Sequence, residues 1–196
     1  LCYKKLSMSK KNSSVILKTR FKDYKELYDI YSLFKKRINA SRKKSFLIAI
    51  SGGPDSLALA ALTKAYSHEN KCKIFYVLID HNLRKNSSKE AQSVKKLLKK
   101  FKINLHILKN KKSIRRNIQG QAREVRYNLL TNFCRDKKIK IMLTAHNLED
   151  QVETFFIRLS RGSGLQGLSS MKQSNKISNN VTLLRPLLSF KKEMYQ

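Results

Sequence analysis

The chain has 196 residues, with 43 Lys and Arg against 13 Asp and Glu, a net charge of +30 and a hydrophobic share of 41%. That length suits one α/β domain with a core of its own, and the apolar share argues against a disordered chain. No apolar run approaches the about 20 residues that cross a bilayer, so no membrane partner is expected. The charge points to a polyanion, RNA or DNA, or to compositional drift, since 31 of the cations are Lys, a less specific phosphate binder than Arg. Residues 1–20 are basic and Ser-rich, lack the apolar core of a signal peptide, and read as a mobile arm. Residues 23–38 place Leu27, Ile30, Tyr31, Phe34 and Ile38 at helical spacing, giving one amphipathic helix.

Strand and helix patterns then alternate. Phe46–Ile50 reads as a strand, Ser56–Tyr66 as a helix and Lys73–Asp80 as a continuous apolar strand ending in an acid. Ser87-Ser-Lys-Glu90 has the form of a capping box, opening a helix to about Phe101. Ile103–Leu108 follows as a strand. Gln119–Asp136 is a helix with Ala122, Val125, Leu129, Leu130 and Phe133 on its apolar side. Lys140–Ala145 is a strand and Leu148–Arg161 a helix, ended by a loop with Gly162, Gly164 and Gly167. Residues 172–180 read as a polar linker, and Val181–Leu188 as a short apolar segment broken by Pro186. The alternation predicts an α/β fold: a doubly wound, mainly parallel, Rossmann-like sheet with ligands at the carboxyl ends of its strands. Cys2, Cys72 and Cys134 lie far apart and form no C-x-x-C, which fits a reducing cytoplasm.

The distinctive segments all fall at that one edge. Ser51-Gly-Gly-Pro-Asp-Ser56 follows an apolar strand and opens an apolar helix, which places backbone N–H groups and a helix N-terminus where a phosphate can sit. It lacks the lysine of a Walker A loop, so it suggests a nucleotide enzyme other than an ordinary ATPase or GTPase. Gly52 and Gly53 permit φ > 0 and close approach of a phosphate. Pro54 suits the first helical turn, and Asp55 and Ser56 suit a cap or a magnesium–phosphate complex. Asp80-His81-Asn-Leu-Arg84 follows the second strand. In Thr144-Ala-His-Asn-Leu-Glu-Asp-Gln-Val-Glu153, Asp150 and Glu153 share a helix face, and with Glu149 nearby they put carboxylates beside the phosphate loop, a donor set that suits Mg²⁺. The plainer account of the same acids is a favourable interaction with the helix dipole. His146 could act as a base or a hydrogen-bond partner. Arg123 and Arg126 share a helix face suited to phosphate or RNA, or simply to solvent. Arg158 and Arg161 suit RNA or the helix C-terminus.

These motifs resemble the PP-loop ATP pyrophosphatase superfamily (the adenine nucleotide alpha hydrolase fold), and within it the tRNA(Ile)-lysidine synthetase family. The resemblance rests on Ser51–Ser56, Asp80–Arg84, Gln121-Ala-Arg-Glu-Val-Arg-Tyr127, Thr144–Thr154, Arg158-Leu-Ser-Arg-Gly-Ser-Gly-Leu165, Gly167-Leu168 and Arg185-Pro-Leu-Leu188. It implies a ligase that uses ATP to adenylate the wobble cytidine of a tRNA with a CAU anticodon. Free L-lysine then displaces AMP, forming lysidine and switching decoding from Met to Ile. It further implies a pyrophosphate cradle at Ser51, Gly52, Gly53, Pro54, Asp55 and Ser56, and adenine near Asp80 and His81. Mg²⁺ would be held near Asp55, Asp150 and Glu153, and Arg123, Arg126 and His146 would sit in the catalytic site. A homodimer is a candidate assembly.

The chain departs from the family pattern at His146-Asn147 and Glu149-Asp150, where relatives often have His-His and Asp-Asp. The resulting organisation is a basic arm and helix over 1–44, a PP-loop domain over 45–190, and the start of a following region over 191–196. The competing readings are a PP-loop tRNA thiolase, a small-molecule amidotransferase partner, and a non-catalytic RNA-binding fragment of the same fold.

Overall fold

The computed structural model describes residues 25–83, 86–110, 117–164 and 169–195. The basic arm, Arg84, Leu165, Gly167 and Leu168 lie outside the described residues. Helix α1 (Lys25–Ala40) buries Ile30, Tyr31, Phe34 and Ile38, four of the five apolar positions read from its spacing. The alternation that follows is β1 (Ser45–Ile50), α2 (Pro54–Glu69), β2 (Lys73–Asp80), α3 (Ser87–Lys100), β3 (Leu105–Lys109) and α4 (Ile118–Asp136). It continues with β4 (Ile141–Leu143), α5 (Leu148–Ser160), β5 (Ser174–Ser178), β6 (Val181–Leu184) and a 3₁₀ turn at Lys192–Met194.

Among the described residues, these strands form one sheet in the order β3-β2-β1-β4-β6-β5. All neighbours are parallel except β5, which runs antiparallel to β6. Consecutive side chains of a strand face opposite sides of a sheet. On β1, Phe46, Ile48 and Ile50 therefore join α1, α2 and α3 in one core, while Leu47 joins Leu130 and Cys134 of α4 in the other. The sheet is covered on both faces, which is why its central strands read as continuous apolar runs. Strand order reverses between β1 and β4. Such a reversal opens a crevice at the carboxyl ends of the two strands.

Three sequence readings change. Ser87 does not cap α3: it is the first helical residue, and Asn86 holds the cap position with no side-chain cap hydrogen bond among the described residues, while the next residue, Ser88, donates from Oγ to Asp80 at 2.6 Å. Residues 172–180 are not a linker: Ser174–Ser178 forms the edge strand β5. A polar sequence suits an edge with an alternating, mostly exposed pattern. Ile103 lies in the turn that closes α3, its N–H donating to the Leu98 carbonyl at 3.0 Å, and β3 starts at Leu105.

Candidate active site

The loop between β1 and α2 is stitched by one hydroxyl. Ser56, 3% exposed, accepts at Oγ from the N–H groups of Ser51 and Gly52, each at 3.2 Å, and donates to the Gly53 carbonyl at 2.8 Å. Its role here is to shape the loop. The two glycines serve different needs. Gly52 sits at φ +90, and a Cβ there would meet Val94 Cγ2 at 3.0 Å, so it answers a backbone requirement. Gly53 does not need φ > 0: it is the extended N-cap of α2 at φ −74, and a Cβ there would find its nearest neighbour at 3.7 Å. Its missing side chain leaves the helix N-terminus open, where the helix dipole favours an anion.

Across the crevice, Asn147 and Asp150 form a reciprocal capping box at the start of α5. Asn147 Oδ1 accepts from the Asp150 N–H, and Asp150 Oδ2 from the Asn147 N–H, both at 2.9 Å. Glu149 accepts the Lys192 N–H at 3.1 Å on each oxygen, while Lys192 Nζ lies 3.8 Å from Asp55 Oδ2. Tyr195 is buried beside these acids. Burial above all, opposed by Asn147 and helped by the charges of Asp55, Glu149 and Asp150, holds its hydroxyl well above the usual tyrosine range. Asp55 and Asp150 thus share one neighbourhood. Glu153 lines a groove of about 350 Å³ with Glu149, Val152, Phe156 and Lys191.

Among the described residues, no group of three or more His, Cys, Asp or Glu side chains is disposed to hold a metal ion, so Asp55, Asp150 and Glu153 are not a preassembled cage. Mg²⁺ needs only one or two carboxylates when phosphates and water complete its shell. The donor set therefore fits a metal that arrives with a nucleotide.

Arginines gather beside the acids. Arg185 is 6% exposed, and its NH1 donates to the Lys172 carbonyl and Asn175 Oδ1, both at 2.7 Å, which ties β5 to the crevice. His146 lies with its Nδ1 2.8 Å from Thr144 Oγ1. Burial, then Arg185, with smaller effects from Arg123 and Arg126 and opposition from Asp150, pushes its pKa down from 6.5 to about 4. His146 is therefore neutral at physiological pH, a hydrogen-bond partner and a poor base. Arg123 stacks over Tyr127 at 5.2 Å. Arg126 also lowers the pKa of His81, behind the larger effect of burial. The ends of β2 and β4 thus meet around one face of α4.

Asp80 has a structural task. Only 2% exposed, it accepts from the Asn82 N–H at 3.0 Å as well as from Ser88. Burial raises its pKa, but the hydroxyls of Ser88 and Ser87, the Asn82 N–H and the nearby Lys109 together hold it below the ordinary value. Both ring nitrogens of His81 are buried, with no hydrogen-bond partner among the described residues. Arg158, read as suiting RNA or the helix C-terminus, donates to the Ser169 carbonyl.

Sequence reasoning missed three residues of the site. Arg185 was one residue of a motif, although a cation inside an apolar run was a usable signal. Lys192 and Tyr195 carried none, because nothing local foretells that a chain will turn back onto acids more than forty residues earlier.

A model of the PP-loop domain matches residues 26–196. Over 149 residues the chain is 45% identical to the tRNA(Ile)-lysidine synthase of Orientia tsutsugamushi, covering 74% of this chain and 33% of that protein. It is 39% identical over 163 residues to the protein of the same name from Wolbachia pipientis wMel, covering 81% and 38%. The chain thus spans about a third of the length of the curated relatives it matches. Among solved structures, the U34-tRNA thiolase NcsA from Methanococcus maripaludis superposes with a TM-score of 0.70 at 16% identity, over 87% of this chain and 62% of that one. The NH3-dependent NAD synthetase from Campylobacter jejuni gives 0.52 at 15% identity, over 87% and 69%. Both show a shared fold.

Proposed function

We propose that this chain, which belongs to the PP-loop domain family, is the ATP-using part of a tRNA(Ile)-lysidine synthase. The observation that carries the reading is the convergence, at the β1–β4 reversal, of a lysine-free glycine loop with the acids opening α5 and the arginines of α4. The names of the relatives supply the substrate. In this reading the wobble cytidine of a CAU-anticodon tRNA attacks the α-phosphorus of ATP, and pyrophosphate leaves. The amino group of free L-lysine then displaces AMP and gives up a proton.

The open helix N-terminus at Gly53 receives the departing pyrophosphate. Asp55 and Asp150, with Glu153 one turn further along α5, would hold Mg²⁺, which supplies charge neutralisation to that leaving group. Breaking the Lys192–Asp55 contact frees the carboxylate for this role. Arg123 and Arg126 offset charge on the α-phosphate. Neutral His146 offers a hydrogen bond without adding a further cation. The groove at Glu149, Val152 and Phe156 joins acid and apolar wall, a chemistry suited to an aliphatic amine. Asp80 and His81 border the adenine. Such an activity belongs in the cytoplasm.

Incubation with ATP, Mg²⁺, labelled L-lysine and the CAU-anticodon tRNA should release pyrophosphate and put label into the RNA. Failure of both this chain and the full-length gene product to do so removes the reading. Asp150→Asn should abolish pyrophosphate release with tRNA affinity nearly unchanged, and retained turnover would take Asp150 out of the metal role. The thiolase reading is disfavoured by the two described cysteines: Cys134 is buried on α4, and Cys72 precedes β2 at the opposite end of the sheet.

A further inference from the structure

A second cationic feature lies at the other end of the sheet, where β1 and β2 begin. A cleft of about 300 Å³ there is lined by Asn39, Arg42, Lys43, Lys44, Tyr66 and Lys71. The four cations are exposed, and among the described residues none of them makes an ion pair. The neighbouring acid, Glu69, is already matched by Lys35 at 2.5 Å. Two helices end beside the cleft, α1 at Ala40 and α2 at Glu69. A basic residue there could simply complement the helix dipoles, but two helix C-termini together present about one negative charge, which leaves most of the four cations uncompensated.

The floor is polar and fixed: Tyr66 donates to Asn39 Oδ1 at 2.7 Å, and the Lys44 carbonyl accepts the Lys73 N–H at 2.8 Å, locking the two cationic turns together. Arg42 stands at φ +52, in the left-handed region that side chains occupy at a cost. A glycine would end the helix more easily.

We propose that this cleft binds the sugar–phosphate backbone of RNA, as a second contact remote from the β1–β4 crevice. Lysines on two adjacent turns suit a run of phosphates, which they hold as point charges without reading sequence. The length of β1 sets the cleft about 20 Å from the glycine loop, within reach of a folded RNA seated at the other edge. That the polyanion is RNA rests on the function proposed above; the unpaired cations do not.

The test is tRNA binding to the full-length protein across a salt series, with the CAU-anticodon tRNA and an unrelated tRNA as probes. Wild type is compared with Lys43→Ala/Lys44→Ala/Lys71→Ala and with Arg42→Gly, which removes a charge while relaxing the backbone. Each lost phosphate contact lowers the slope of log affinity against log salt by about 0.7–0.9. The wild-type advantage over the triple variant should therefore shrink about twenty- to fortyfold between 50 and 200 mM salt, equally for both tRNAs. Arg42→Gly should give a smaller change of the same kind, with thermal stability unchanged or raised. Pyrophosphate release at saturating tRNA should persist in both variants. Unchanged slopes in both variants, or loss confined to the CAU-anticodon tRNA, overturn the cleft. Changed slopes in a protein that makes no lysidine overturn the substrate assignment and leave the cleft standing.

Discussion

Ser56 and the two glycines show how little a motif says about each of its letters. Ser56 spends its hydroxyl inside the loop, so Ser56→Ala should cost about 1–3 kcal/mol through unsatisfied donors and raise the KM for ATP. Gly52→Ala should destabilise the fold in a urea melt, because the residue stands at φ +90 with Val94 close by. Gly53→Ala should fold normally, since a Cβ there meets nothing closer than 3.7 Å, and on the proposed reading should lose ATP affinity. Equal losses of stability at the two glycines would refute that division. His146 makes a pH prediction. Its folded pKa of about 4 lies below the ordinary 6.5, so between those values the unfolded chain binds the proton that the native protein refuses. Stability should thus be full above pH 6.5 and decline as pH falls towards 4, by an amount on the order of 3 kcal/mol. His146→Gln should flatten that part of the stability–pH curve.

Among the helices, α1 and α5 carry similar apolar patterns to opposite ends. In α1, Phe34 is fully buried and packs edge-on to Tyr66 at 6.3 Å; Phe34→Ala should cost about 3–5 kcal/mol in chemical denaturation. In α5, no residue is buried, and Phe156 is 60% exposed. Phe156→Ser should change stability by no more than about 0.5 kcal/mol. Both helices were legible, as were β1 to β4, four of the five mutually parallel strands, because periodicity and long apolar runs are local signals. The edge strand β5 was not, since its pairing comes from β6 rather than from its own polar residues. The cap of α3 was misplaced by one residue: the helix starts at Ser87 itself, and Asn86 takes the cap position.

Over the whole molecule, a charge of +30 repels itself in the compact state, and added salt screens that repulsion. Raising NaCl from low to moderate concentration should raise the thermal midpoint, and a midpoint insensitive to salt would mean that the cations are already compensated within the fold. The sequence by itself determined the α/β alternation, the glycine loop after β1, the acids opening α5 and the basic excess, because each is a pattern of neighbours along the chain. Only the tertiary structure decided how they act on one another. It set the neutral state of His146, the burial of Arg185, the return of Lys192 and Tyr195 onto Asp55 and Asp150, and the division of cations between crevice and cleft. Those are matters of charge, burial and distance between elements remote in sequence, and such quantities exist only once the sheet has brought the elements together.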